Sequence, residues 1–386
     1  MRPLDGIKVI EMAGLAPTPY CGMILADFGA DVVVVDRLST GNPEIPFSMS
    51  KNPLDRGKRS IRVDLKTEAG IAILKRQIVS SDVLLEPYRP GVMEKLGTGP
   101  DDALKLNPKL IYARLTGWGQ DGPYARMAGH DINYLALSGV LSLCKQKGEK
   151  PHPPCNLLAD FAGGGMLCAL GITLALFERT RSGEGQVVDT AMVDGASSFL
   201  TFIYGLLAHN LMTLDIGTNA LDGGAPYYQT YETADHKYMA VGAIEGRFYE
   251  EFVRGLQLDP TSLPDQNEEE QWPKMQAQFA EIFRNKTRDE WSVIFNGKDA
   301  CVSPVLELDE VDQDPHLIER RSFQNLNGAL QPAVAPRLSR TPGKSDRPGR
   351  PRGSETGGVL EGLGYTSEEI STLLEKGIVE VSPDQG

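Results

Sequence analysis

Cysteine is scarce in this chain. There are five in 386 residues, Cys21, Cys144, Cys155, Cys168 and Cys301. Their number is odd and their spacing fits no metal site, which excludes a disulfide framework and predicts a reduced intracellular protein. Positive charge is also in deficit. A net charge of -13 excludes a general nucleic-acid binder. An anionic small ligand remains compatible, because a local basic patch is enough to hold it. Met1 to Gly6 carries no apolar signal core or transit pattern, and the ending Ser382 to Gly386 is not Ser-Lys-Leu. The expected location is therefore the cytoplasm, with a peroxisome or mitochondrion left open for a eukaryotic source. No G-x-S-x-G, H-E-x-x-H or Walker A motif is present, so the sequence offers no serine-hydrolase, zincin or P-loop signature. One apolar run, Leu157 to Phe177, is long enough to span a membrane. Asp160 lies inside it and Gly163, Gly164 and Gly165 interrupt it. It is expected to be a buried helix of a large core, and no membrane span is expected.

The chain is long enough for one large α/β domain or two unequal ones, and its 41% hydrophobic and 24% charged residues are ordinary for a globular enzyme. The first third alternates strand and helix signals. Strands are expected at Ile7–Met12, Asp31–Val35, Asp82–Leu85 and Pro108–Leu115, with helices at Pro19–Phe28, Thr67–Ile78 and Asp101–Leu106. That alternation predicts a parallel sheet with right-handed crossovers. Further helices are expected at Asp131–Val140, Phe161–Arg179 and Met192–Leu211, with a short strand at Gln186–Asp189. Beyond Asp222-Gly223-Gly224 the texture changes. Paired strands at Tyr228–Ala234 and Tyr238–Val241, then helices near Phe248–Leu256 and Gln271–Phe283, read as a smaller α+β domain. Pro336 to Gly353 reads as an extended basic strap, and Ser367–Glu375 as a helix docking back on the first domain.

Several features bear on chemistry. Gly117-Trp118-Gly119-Gln120-Asp121-Gly122 matches G-x-G-x-x-G, but Pro123 and Tyr124 follow where a dinucleotide site needs a helix to open, so a glycine-rich loop is the better reading. Residues 51–76 hold Lys51, Arg56, Lys58, Arg59, Arg62, Lys66, Lys75 and Arg76 against Asp55, Asp64 and Glu68. This is either a solvated face or a landing site for a polyanion, with Arg37 and Arg89 placed to join it at strand ends. His130, at the start of an expected helix, is either a capping or surface residue or a functional one. Asp160 heads the apolar run as its N-cap or as a perturbed carboxylate. Glu245 ends an apolar run and reads as an exposed strand end. A separated His and Asp without a nucleophile pattern point to proton transfer rather than acyl hydrolysis.

Gly129-His130-Asp131-Ile132-Asn133-Tyr134-Leu135-Ala136-Leu137-Ser138-Gly139, followed by Asn156-Leu157-Leu158-Ala159-Asp160-Phe161-Ala162-Gly163-Gly164, resembles the α-methylacyl-CoA racemases of the class III CoA-transferase superfamily. The likeness also takes in Leu25–Ala30, Arg56–Ser60, Arg181–Asp189, Leu221–Pro226 and Ala240–Glu245, and is weakest at Gln257–Pro273. It implies an α/β fold: a Rossmann-like large domain with a parallel sheet plus a smaller α+β domain, in an interlocked homodimer. The implied division is 1–195 for the large CoA-binding domain, 196–225 for a linker helix region and 226–325 for the small domain. Residues 326–386 would form the returning strap and helix. The resemblance further implies racemisation of 2-methylacyl-CoA thioesters, with no metal or redox cofactor and with CoA as part of the substrate. It maps the two bases onto His130 and Asp160, and onto Glu245 a hydrogen bond to the histidine from the partner chain. It maps CoA contacts onto Arg37, the Val63-Asp64-Leu65-Lys66 segment and Gly129 to Tyr134. That stretch includes Asp131, Ile132 and Asn133. Arg89 joins on position alone. One local departure is Gly246-Arg247 after Glu245, where the racemases usually carry Pro and a neutral polar residue. The superfamily also implies an alternative, a CoA-transferase with Asp160 as the nucleophile of an acyl anhydride.

The implied chemistry suits these residue types. A thioester acidifies its α-C–H, and inversion needs a proton removed on one face and returned on the other. Histidine serves one face because its ordinary pKa is about 6.5. Asp160 must then be held toward its protonated form by apolar surroundings.

Overall fold

The structure, a computed structural model, describes residues 1–38 and 52–382. Lys51 of the basic stretch and the last four residues fall outside the described residues.

Six parallel strands form the centre of the fold: β1 (Lys8–Met12), β2 (Asp31–Asp36), β3 (Arg59–Val63), β4 (Val83–Glu86), β5 (Ile111–Thr116) and β6 (Gln186–Ala191). Their spatial order is 3-2-1-4-5-6, with every pair parallel. This is the doubly wound order in which ligands collect beyond the carboxyl ends of the strands, where the order reverses between β1 and β4. Val32 to Val35 are all buried, as expected for a β-branched run covered on both faces.

Three antiparallel strands, β7 (Tyr228–Glu232), β8 (Tyr238–Gly242) and β9 (Val302–Pro304), make a second sheet. The expected turn at Asp235-His236 joins β7 to β8, with His236 at φ 58°. β10 (Phe323–Leu326) and β11 (Ala329–Pro332) form a hairpin. β12 (Val379–Glu380) adds antiparallel to β3 at the edge of the large sheet.

The chain divides into two compact units. One comprises 1–138, 154–198 and 316–386, the other 139–153 and 199–315. Residues 139–153 thus sit with the second unit, not with the rest of the 1–195 segment, and 316–325 sit with the first. The first unit's core gathers Ile10, Met12, Val35, Ile61, Ile73, Leu84 and Tyr112, and the Ser367–Glu375 helix contributes Ile370 to it. The second unit packs Tyr231, Phe252, Phe279, Phe283, Trp291 and Phe295 around its sheet.

Several expectations change. Arg59–Val63 is a strand, hidden in the sequence by its cations. The helix from Asp131 stops at Ser138, because Gly139 takes φ 91°. Met192–Leu211 is broken into Met192–Ser198 and Thr201–Ala208. The apolar run forms π-helical turns over Leu157–Met166 and an α-helix over Leu167–Ser182. Together they are long and apolar enough to cross a membrane by length and composition. They are not a fully buried core helix: only 39% of the apolar window is buried, and Leu170, Leu174 and Phe177 lie open to solvent.

Candidate active site

The carboxyl ends of the parallel strands carry part of the expected site. Arg37 follows β2, Asp64 to Lys66 follow β3, Tyr88 and Arg89 lie just beyond β4, and Gly117 follows β5. Parallel pairing puts all these positions at one edge of the sheet. Arg37 acts on Tyr88, whose phenol is pushed up to about 12 by burial, with Asp36 and Glu86 adding to the rise and Arg37 and Arg352 opposing it. Glu86 accepts the N–H of Tyr88 at 2.7 Å and so fixes the turn that presents Arg89.

At β3 the side chains are largely committed. Val63 is 1% exposed and belongs to the core, and Leu65 packs against that core. Asp64 accepts the N–H of Lys66 at 3.0 Å. What Val63 and Leu65 can still offer a ligand is main chain, whereas the Lys66 side chain is exposed.

His130 and Asp131 open the Asp131–Ser138 helix. The His130 N–H donates to the Asn133 side chain at 3.0 Å, and the His130 carbonyl accepts from Asn133 at 2.8 Å. Asn133 thereby caps the turn, and the His130 imidazole is exposed on the chain. Ile132 and Asn133 are also exposed, while Tyr134 is buried. The Tyr134 hydroxyl donates to Gly129 O at 2.5 Å and its ring meets Trp118 edge-on at 4.7 Å. A Cβ on Gly117 would lie 2.1 Å from that ring, so the glycine-rich loop is a packing device and not a phosphate fingerprint. No helix opens at Gly122.

Asp160 is not the N-cap of the apolar run. It lies one turn inside, and its carboxylate accepts from Asn156 Nδ2 at 3.1 Å. The capping acceptor is Asp131, whose Oδ2 takes the N–H of Ala159 at 2.8 Å and of Asp160 at 2.9 Å. The first N–H groups of a helix have no partner within it, and Asp131 supplies one from 28 residues away. Close packing holds this segment in place, since a Cβ on Gly163 would lie 2.8 Å from Ala196 N.

Burial raises the Asp160 carboxyl above its usual range. The Asn156 hydrogen bond and the His130 charge oppose the rise, and the Asp131 charge adds to it. Tyr134 is pushed up to about 12 by burial, with Asp160 and Asp131 raising it and Arg89 opposing them. Asp160 thus feels His130 and Asp131, and Tyr134 feels Asp160, Asp131 and Arg89. Sequence reasoning missed Asn156 as a partner of Asp160. Its signal was the i, i+4 spacing, which places two helical side chains on one face.

Glu245 stands in the second unit. It is exposed, precedes the Gly246–Gly255 helix and gives that helix no side-chain cap.

Most of the described cations of the basic stretch are committed to partners, and Lys66 is left exposed. Arg56 is buried and pairs with Asp27 through two bonds of 2.6 and 3.1 Å. Lys58 is buried against Glu11 at 2.7 Å and donates to Pro19 O. Arg59 pairs with Asp31, Arg62 with Glu380, and Arg76 stacks on Tyr365. The strap contributes Arg352, which binds Asp55 at 3.1 Å.

A family model described as CoA-transferase family III matches residues 4–356. An α-methylacyl-CoA racemase from Mus musculus is 52% identical over 98% of this chain and 97% of its own length. The Homo sapiens α-methylacyl-CoA racemase is 51% identical over the same shares. Among solved structures, a CaiB/BaiF family protein from Brucella suis superposes with a TM-score of 0.79 at 25% identity, covering 94% of this chain and 99% of that one.

Proposed function

The chain belongs to the CoA-transferase family III, and from that premise we propose that it is an isomerase interconverting (2R)- and (2S)-2-methylacyl-CoA thioesters. The observation that carries this reading is that the His130 charge acts on Asp160, a carboxyl that burial holds toward its protonated form. One base removes the α-proton to give an enolate and the other returns a proton to the opposite face. For one enantiomer neutral His130 accepts and protonated Asp160 donates; for the other the roles exchange. The N–H groups opening the Asp131–Ser138 helix face the developing enolate oxygen in this scheme. Proton transfer passes no electrons to an acceptor, so the proposed reaction calls for no metal or redox cofactor, and CoA enters as part of the substrate.

We assign the CoA side to Arg37, Lys66 and Arg89, the main chain of Val63 to Leu65, and the Gly129 to Tyr134 stretch. Tyr134 offers that stretch no free hydroxyl, since its O–H is committed to Gly129 O. The carboxyl-edge position of these residues supports the assignment.

The working form is proposed to be a homodimer in which the partner subunit's Glu245 hydrogen-bonds His130. Two features support it: Glu245 is exposed and without a capping duty in its own unit, and the open apolar face of Leu170, Leu174 and Phe177 calls for cover. A fully active monomer in sedimentation analysis would remove this part of the proposal.

Acyl transfer through an anhydride on Asp160 is the competing chemistry. It needs Asp160 ionised as a nucleophile, and it has no need of His130. Assays with and without a carboxylate acceptor separate the two. Inversion without an acceptor supports the racemase, and acyl transfer that depends on one supports the transferase.

A further inference from the structure

The assignment of Asp131 to substrate contact leaves its side chain unexplained. Asp131 is 4% exposed. One carboxylate oxygen, Oδ2, holds the N–H groups of Ala159 and Asp160. The other, Oδ1, is buried and has no hydrogen-bond partner among the described residues. We propose that Asp131 is a positioning residue that fixes the Asp160-bearing turn against His130, its chain neighbour, and sets the charge beside Asp160. This deepens the racemase reading and rests on it.

Two independent features carry the inference. The first is connectivity. The two proposed bases stand on separate segments, and Asp131 ties them together. Its main chain continues from His130 and its side chain ends on the main chain of Asp160. A shift of about 1 Å in such a pair is enough to cost on the order of 10²-fold in rate. The second is the choice of a carboxylate. A neutral amide oxygen would accept the same two N–H groups. A buried carboxylate with one oxygen unpaired carries a desolvation cost that capping alone does not require.

What the charge adds is its action on Asp160. The groups acting on Asp160 are Asn156 from its own turn, and Asp131 and His130 from the Asp131–Ser138 helix and its start. The Pro17–Asp27, Leu167–Ser182 and Met192–Ser198 helices and strands β5 and β6 also pack on this segment, and none of them supplies a charge that acts on Asp160. Among the described residues, the carboxylate of Asp131 is therefore the one acidic group that pushes Asp160 toward its protonated form.

Inversion in either direction requires the His130–Asp160 pair to hold one proton. The acidic limb of the pH profile is where the pair takes up a second proton, an uptake that the Asp131 charge favours. The test measures kcat and KM for inversion of 2-methylacyl-CoA across pH for the wild-type chain, Asp131→Asn and Asp131→Ala, with folding followed by circular dichroism. Asp131→Asn keeps the acceptor and removes the charge, so inversion persists while the acidic limb moves to lower pH. Asp131→Ala loses the tie, so kcat falls on the order of 10²-fold with KM much less affected. Should the alanine variant fail to fold, the pH profile of Asp131→Asn decides alone. A wild-type profile in Asp131→Asn, or wild-type kcat in a folded Asp131→Ala, overturns the inference and leaves the racemase reading standing. A wild-type chain that inverts nothing overturns both.

Discussion

Between Arg56 and Arg62 each cation has a carboxylate opposite it: Asp27 for Arg56, Glu11 for Lys58, Asp31 for Arg59 and Glu380 for Arg62. Around Asp160, among the described residues, no lysine or arginine pairs with the carboxylate. Its neighbours are an amide, a second carboxylate and a histidine that is charged only when it holds the proton in play. Both regions belong to the first unit and both stood out in the sequence for their charged residues. The first spends its charges on architecture, locking β3 and the strap to the sheet. The second keeps its charges unneutralised beside a surface that solvent reaches. An excess of charge in the sequence is therefore a poor guide to a ligand site until the pairs are known. A carboxylate left without a counter-charge is the better guide.

The contrast is broken most severely at the bases. His130→Ala and Asp160→Ala are each expected to lose inversion by about 10²- to 10⁴-fold, measured as loss of optical change at saturating substrate. An active His130→Ala, inverting near the wild-type rate, would remove the two-base scheme.

On the architectural side, Arg56→Ala leaves Asp27 buried without its partner. The expected loss is about 3–5 kcal/mol of stability in urea unfolding. Activity per folded molecule should be retained, and a large catalytic loss in a well-folded variant would show that Arg56 itself reaches the site.

Arg37→Ala tests the edge between the two regions. Loss of a phosphate contact should raise KM more than it lowers kcat, because it removes binding common to ground and transition states. A kcat change of about tenfold with KM untouched would refute the assignment.

The smallest effect is expected at Glu86, which burial pushes from 4.5 to about 7 against the pull of Arg114 and the Tyr88 N–H. Its folded pKa lies above its unfolded one, so between these values the folded chain holds more protons. The stability it contributes is complete below pH 4.5 and is lost as pH rises through about 7. Glu86→Gln should flatten that part of a plot of urea midpoint against pH, and an unchanged slope would refute the linkage.

Much of this fold was legible because periodic signals were local. The Asp31 strand, the Thr67-capped helix and the β7–β8 turn stand close to where the sequence put them. Elements failed where a local signal was masked or too short. β3 carries Arg59 and Arg62 on a strand whose Ser60, Ile61 and Val63 are buried, and the cations drew attention from the alternation. β12 has only two residues. The Arg288–Phe295 helix was missed although Thr287 and Glu290 form a capping box that is readable as T-x-x-E. At the site, the residue types His130, Asp160 and Glu245 could be picked out, but not who touches whom. That Asp131 caps the Asp160 turn depends on a contact across 29 residues, which no periodicity encodes.

The central claim is proton exchange on both faces of the α-carbon by two separate bases. Incubation of (2R)- and (2S)-2-methylacyl-CoA in deuterated water, with α-deuterium followed by NMR and configuration by chiral analysis, tests it most directly. The account predicts that the wild-type chain incorporates deuterium and inverts both enantiomers without any carboxylate acceptor. It predicts that His130→Ala and Asp160→Ala lose inversion, with any exchange that survives confined to opposite enantiomers. Inversion without α-deuterium, or acyl transfer to an added carboxylate in place of inversion, would contradict it.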